Sequence, residues 1–266
     1  MKKVSVVIPM YYEEDVAQIC YDRLNVVLEE LKKEYDYEII FVNDGSKDKT
    51  LSILKSIADE NKNIKIISFS RNFGHQAAVT AGIKEVSGDA IVIMDADLQD
   101  PPELIPDMLK LWEDGYEVIY GKRNTRKGES AFKLLTAKMF YSFLNAMSEV
   151  EIPKNTGDFR LVDRSVIDVI NNLPEHNKFL RGLFSWVGFE QKEFLYDRPK
   201  REFGETKYPF KKMMKLAKDG IISFSTKPLK IVGGLGIFSI LLSMIILIYS
   251  ILSYALNWNN LADGWT

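Results

Sequence analysis

Ala90-Ile91-Val92-Ile93-Met94-Asp95-Ala96-Asp97 is an uninterrupted apolar run that stops at two acids one residue apart. A short run of this kind, rich in β-branched residues, reads as a strand, and the lack of polar alternation reads as burial on both faces. Comparable runs lie at residues 4–8, 38–42, 64–69 and 117–120. Amphipathic stretches at residues 15–34, 49–61, 74–86 and 103–113 predict helices between them. Strand and helix in alternation predict an α/β fold, a Rossmann-like and mostly parallel sheet with helices on both faces. Ligands of such sheets bind beyond the carboxyl ends of the strands. The residues just after each strand are therefore the candidates: Pro9-Met10-Tyr11-Tyr12-Glu13-Glu14, Asn43-Asp44-Gly45-Ser46, Ser70-Arg71-Asn72 and Asp95-Ala96-Asp97.

The remainder of the chain is organised differently. A long helix is expected at residues 130–148. A loop, Pro153-Lys154-Asn155-Thr156-Gly157, then leads to Asp158-Phe159-Arg160, followed by helical pieces at 164–173 and 179–187 and a short strand at 191–196. Residues 231–256 carry no charge, a run of about 26 residues where about 20 cross a bilayer, so one transmembrane helix is expected. Seven lysines against one acid between Lys207 and Lys230, interleaved with Phe210, Met213, Met214 and Leu216, predict an amphipathic helix on an anionic membrane face. Lysines ahead of the span place the N-terminal domain in the cytoplasm. The expected divisions are a catalytic domain over 1–205, a basic juxtamembrane segment over 206–228, a spanning helix over 229–257 and a short tail over 258–266.

Composition narrows the class. With 266 residues, 46% of them hydrophobic, the chain can bury a full core, and a formal net charge of −2 excludes a global field toward nucleic acid. The single cysteine, Cys20, excludes an intrachain disulfide and reads as a packed side chain. Local charge must therefore select the partners.

Asp95 and Asp97 lean to the same face if the extended path continues past the strand. Two carboxylates so placed repel unless a cation joins them, and hard oxygen ligands favour Mg²⁺ or Mn²⁺ with positions left for substrate phosphates. Asp44 could accept hydrogen bonds from a uracil ring or ribose while Gly45 lets a backbone come close, or it could cap the next helix. Glu13 could reach the nucleoside or serve a helix start, Tyr11 could stack near a base, and Arg71 could serve a diphosphate. Arg198, Arg201 and Lys207 could bind a phosphate at the membrane surface. His75, near a helix start, reads as a packed or capping residue.

Val7-Ile8-Pro9, Glu13-Glu14, Val42-Asn43-Asp44-Gly45-Ser46, Arg71-Asn72-Phe73-Gly74-His75-Gln76 and Met94-Asp95-Ala96-Asp97-Leu98-Gln99-Asp100-Pro101-Pro102-Glu103 together resemble the family 2 glycosyltransferases of GT-A fold. Gly157-Asp158-Phe159-Arg160-Leu161 and the stretch from Arg198 to Tyr208 are similar to the polyprenyl-phosphate branch, which includes bactoprenol glucosyltransferases and dolichol-phosphate mannose synthases. The resemblance implies that Pro9, Tyr11, Glu13, Asp44, Arg71, Asp95, Ala96 and Asp97 hold the nucleotide sugar. It makes Asp97 the direct metal ligand, Asp95 a supporting ligand that acts in catalysis through the diphosphate and metal network, and Asp158 the catalytic carboxylate, and it implies inversion at the anomeric carbon. The implied reaction moves one sugar from a nucleotide sugar, UDP-glucose or UDP-N-acetylglucosamine, to undecaprenyl or another polyprenyl phosphate. A lipid phosphate is already ionised near neutral pH, so Asp158 is either a base or an orienting group. A processive synthase of the same fold is the second reading, although its Gln-x-x-Arg-Trp signature is absent. A non-catalytic membrane scaffold is the third. Relatives in this branch often have two spanning helices, which makes this sequence look shortened, and self-association is a further expectation.

Overall fold

In the computed structural model the chain is described over residues 1–124, 153, 156–175, 178–197 and 227–256. The long helix expected at 130–148, residues 206–226 of the basic segment, and Arg198, Arg201 and Lys207 lie outside the described residues. Four strands run parallel, β1 (Lys2–Met10), β2 (Tyr35–Asn43), β3 (Ile64–Ser68) and β4 (Ala90–Ile93), and the helices α1 (Ala17–Leu31), α2 (Thr50–Glu60) and α3 (His75–Glu85) connect them. A 3₁₀ turn at Pro102–Leu104 and α4 (Ile105–Glu113) lead to β5 (Val118–Arg123). Then come β6 (Thr156–Asp163), α5 (Arg164–Asn172), α6 (Leu180–Trp186), β7 (Gln191–Tyr196) and α7 (Lys227–Ala255).

Alternation along the strands builds two cores. Val4, Val6, Ile8 and Met10 of β1, with Ile39 and Phe41 of β2 and Val92 of β4, point to the face covered by α1, α2 and α4. Val7, Ile40, Val42, Ile91 and Ile93 point to the other face, where Val79 and Ile83 of α3, Ile167 of α5 and Leu183 of α6 meet them. Both faces being buried is why these strands read as continuous apolar runs. Gly82 lets α3 lie directly on β1, since a Cβ there would come within 2.3 Å of a Val7 methyl.

The sheet has seven strands in the order β3-β2-β1-β4-β6-β5-β7. The sequence reading carries a loop through Gly157 and gives no strand to the residues that follow; the structure starts β6 at Thr156 and runs it to Asp163. Thr156-Gly157-Asp158-Phe159-Arg160 carries too many polar residues for a strand signature, yet the segment is almost wholly buried and antiparallel between β4 and β5. Its polar residues are tolerated because they are paired, as the site shows below.

At the opposite end of the sheet from the strands' carboxyl termini, Glu38 is buried and ties three elements together. Its Oε1 accepts from Ser5 Oγ at 2.7 Å and from the Ser87 hydroxyl at 2.8 Å, while its Oε2 pairs with Lys65 at 2.8 Å and Lys3 at 3.3 Å. Burial alone would raise this carboxyl, but Lys65, Ser5 and Ser87 bring it from its ordinary 4.5 down to about 2.

One helix among the described residues, α7, is long and apolar enough to cross a membrane. Its candidate span of 27 residues, Leu229–Ala255, is apolar apart from Lys230 and would extend about 40 Å. Every large apolar side chain in that stretch is exposed, which is incompatible with the core of a soluble domain.

Because the folded-state pKa of Glu38 is depressed, its contribution is present in full above 4.5 and is lost as pH falls toward 2. Glu38→Gln is expected to cost about 2 kcal/mol near neutral pH. Melting curves of variant and parent should converge as pH falls from 4.5 toward 2; a constant gap would refute the assignment.

Candidate active site

The parallel strands deliver four loops to one end of the sheet, and the antiparallel β6 delivers its beginning there. In the β4–β6 ladder Ile93 pairs with Arg160 and Val92 with Leu161. Continuing that register two residues past the ladder sets Asp158 opposite Asp95.

Between them stands His75, the first residue of α3. Its Nε2 lies 2.9 Å from Asp158 Oδ2 and 3.8 Å from Asp95 Oδ1. The closer contact is at ion-pair distance. Asp158 is then gripped from α6: Arg181 Nε donates to Oδ1 at 2.7 Å and a terminal nitrogen donates to Oδ2 at 2.9 Å, a bidentate fork. Arg160 holds the main chain of the same segment, donating to the carbonyls of Asp158 and Gly157 at 3.3 and 3.1 Å while it stacks on the Phe184 ring.

These contacts set the charges. Burial would raise the Asp158 carboxyl, yet the Arg181 guanidinium and then His75 hold it well below the usual carboxylate range. Burial would lower the His75 imidazole, yet Asp158 and Asp95 lift it to about 9. Asp95 goes the other way: burial raises its carboxyl, and Asp158 and Asp97 add to that against the opposing pull of His75.

Asp95 and Asp97 are half-exposed while Ala96 and Leu98 are buried, so the alternation of β4 carries into the turn and turns both acids to one side. Leu98 closes the turn at φ 57°, a left-handed conformation uncommon for leucine, and Asp97 Oδ1 accepts from the Gln99 amide at 3.1 Å. Among the described residues no group of three or more His, Cys, Asp or Glu side chains could cage a metal ion. Asp95 and Asp97, on the exposed side of the turn, are the residues that could hold a hard divalent cation.

The loops after β1 and β2 are held by their own hydrogen bonds. Asp44 is buried, and its carboxylate accepts from Asn72 Nδ2 at 2.7 Å, from the Phe73 amide at 2.7 Å and from the Gly74 amide at 2.9 Å. Asp44 thus organises the loop before α3 and does not cap its own following helix. Gly45, at φ 69°, makes room for the Arg71 main chain, which a Cβ would meet at 2.3 Å. Arg71 is exposed and stacks on Phe73, with 4.1 Å between its guanidinium carbon and the ring centroid. Pro9 is buried in β1 beyond the β1–β4 ladder, where its missing N–H breaks no bond with β4. Tyr11 packs edge-on against Tyr12, whose φ of 55° is again left-handed and whose amide donates to Ser46 Oγ at 3.0 Å. The Glu13 amide donates to Thr50 Oγ1 at 2.9 Å, so this loop is pinned to the start of α2.

The structure brings Asp95, Asp97 and Asp158 to one end of the sheet and adds two residues that the sequence reading left out. His75 is not merely packed or capping, because it faces two of the three acids. Arg181 has no signal in the sequence, because an arginine in a short helix carries no signature of its own; only the register of β6 shows what it faces.

Comparison with known proteins adds the following. Glycosyl transferase family 2 matches residues 5–170. The uncharacterized glycosyltransferase YkcC of Bacillus subtilis is 54% identical over 233 residues, covering 88% of this chain and 72% of that protein. A prophage bactoprenol glucosyl transferase homolog of Escherichia coli is 42% identical over 229 residues, covering 86% of this chain and 74% of that protein. Among solved structures, glucosyl-3-phosphoglycerate synthase from Mycobacterium tuberculosis in complex with Mn²⁺, UDP-glucose and glycerol 3-phosphate aligns with a TM-score of 0.55 at 16% identity. That alignment covers 82% of this chain and 76% of the synthase, and at this identity it speaks to the fold.

Asp44→Ala would strand the amides of Phe73 and Gly74 next to a cavity. It is expected to cost about 2–3 kcal/mol and to speed hydrogen exchange at those two amides. Unchanged exchange there would remove Asp44 as the organiser of the loop.

Proposed function

The chain belongs to glycosyl transferase family 2, and from that premise we propose that it transfers a single sugar from a nucleotide sugar to a polyprenyl phosphate at the cytoplasmic face of a membrane. The observation that carries the reading is the meeting of the Asp95-Ala96-Asp97 turn with an ion-paired Asp158, in a chain that also holds the apolar helix α7. Identity of 40–42% to proteins named as bactoprenol glucosyl transferases supports a lipid-phosphate acceptor. The donor in this reading is UDP-glucose or UDP-N-acetylglucosamine. Residues 1–205 form the catalytic domain, 206–228 the basic surface segment and 229–257 the span.

Asp97, with Asp95 beside it, would hold Mg²⁺ or Mn²⁺. When bound, the cation offsets the charge that grows on the departing diphosphate. The chain's own residues do the rest. Asp44 holds the Asn72-Phe73-Gly74 loop in place and Gly45 lets Arg71 pass close by, which together shape the nucleoside side with Pro9, Tyr11, Glu13 and Ala96. Arg71 is exposed beside this loop, where a guanidinium can bind diphosphate oxygens. Arg198, Arg201 and Lys207 are assigned to the acceptor phosphate at the membrane surface. Asp158 orients and does not abstract: an ionised phosphate needs no base, and both Asp158 oxygens are engaged by Arg181.

Purified protein in lipid nanodiscs, supplied with Mg²⁺ or Mn²⁺, polyprenyl phosphate and a panel of nucleotide sugars, is expected to form a lipid carrying one sugar. A growing glycan would favour the processive reading, and release of no nucleotide from any donor would sink both. Asp97→Asn is expected to abolish metal-dependent turnover with the melting temperature unchanged within a few degrees, whereas full activity would remove Asp97 as the metal ligand.

A further inference from the structure

Adjacent residues on two helices close a ring around Asp158. On α3, His75 faces the Asp158 carboxylate, and the neighbouring Gln76 accepts at Oε1 from the Leu180 amide at 3.0 Å. On α6, Leu180 makes that bond and the neighbouring Arg181 forks onto both Asp158 oxygens. Arg160 of β6 closes the third side, its guanidinium on the carbonyls of Gly157 and Asp158 and its flat face on Phe184 of α6. Residues from α3, β6 and α6 are thus locked to one another at the point where β6 meets the Asp95 turn.

We propose that Arg181 is a positioning residue of the transfer site: it locks the Asp158 carboxylate to α6, so that Asp158 is a fixed anchor for His75, and His75 in turn sets the Asp95 side of the donor turn. The proposal deepens the reading above and rests on it in one respect, that Asp158 belongs to the transfer site. Side chains held by a two-bond planar fork have one geometry available, and a single-point cation such as lysine cannot reproduce it. A misplacement on the order of 1 Å at a reacting centre costs about 100-fold in rate.

The reading is judged on the parent protein alone, by whether sugar reaches polyprenyl phosphate. Arg181 is judged on whichever turnover the parent shows, sugar transfer or hydrolysis of the donor. Arg181→Ala is expected to lower kcat about 100-fold while the KM for the nucleotide sugar changes less than about threefold. Guanidinium added to that variant should recover activity by about tenfold, which a loss of packing alone would not allow. Arg181→Lys should retain the fold, checked by melting temperature, and lie between parent and alanine in kcat.

Because Arg181 acts through Asp158, removing it from an Asp158→Asn protein should cost less than about threefold more. The double variant Asp158→Asn, Arg181→Gln carries no unpaired charge of that pair, so the cycle can be closed even where Arg181→Ala folds poorly. Parental kcat in Arg181→Lys and Arg181→Ala, or losses that multiply in the double variant, would overturn the proposal.

Discussion

The antiparallel register of β6 against β4 is the constraint on which the site depends. Ile93 pairs with Arg160, so Asp95 just past one strand and Asp158 just inside the other fall opposite each other. A parallel strand in that position would deliver its carboxyl end to this edge of the sheet and carry Asp158 to the far end. Inserting one reversed strand into an otherwise parallel half-sheet therefore brings together acids more than sixty residues apart in sequence. The same register puts Arg160 inside the second core, where burial pulls its guanidinium down to about 10 without discharging it at neutral pH. Its charge is accommodated because the carbonyls of Gly157 and Asp158 and the ring of Phe184 surround it.

Charge at the site is arranged as opposites in layers. Asp158 lies between Arg181 on one side and His75 on the other, and His75 also faces Asp95. Asp95 and Asp97 then stand at the open side with less positive charge near them, and burial with neighbouring acids drives the Asp95 carboxyl up. The inner acid is compensated by side chains, and the two outer acids stand where the turn after β4 opens. Buried carboxylates of the first kind are costly to leave alone and stable once paired. Acids of the second kind fit the proposed metal and donor side, because hard carboxylate oxygens are suited to a divalent cation.

The two ends of the sheet are built for different purposes. At the far end Glu38 joins β2 to Ser5, Ser87, Lys3 and Lys65 in a cluster with no backbone strain. At the site end the non-glycine residues with left-handed φ among the described residues, Tyr12 and Leu98, sit in the loops after β1 and β4. Left-handed backbone of this kind persists where the surrounding sheet fixes the loop.

Much of this was legible in the sequence, and the limits are physical. Strands buried on both faces must be apolar throughout, so β1 and β4 announced themselves by composition, as did the turns that follow them. The apolar run of α7 was legible for the same reason, because residues 231–256 carry no charge over a length that can cross a bilayer. Three things waited for the tertiary structure. β6 was invisible because its polar residues are satisfied by partners distant in the chain. Asp44, legible as a strand-end acid, turned out to spend its oxygens on the Asn72-Phe73-Gly74 loop. His75 and Arg181 acquire their roles from the residues they face across the fold. Composition and periodicity determine which segments are buried, since burial is a property of the segment itself; which charges meet is a property of register and packing, and only the folded chain decides it.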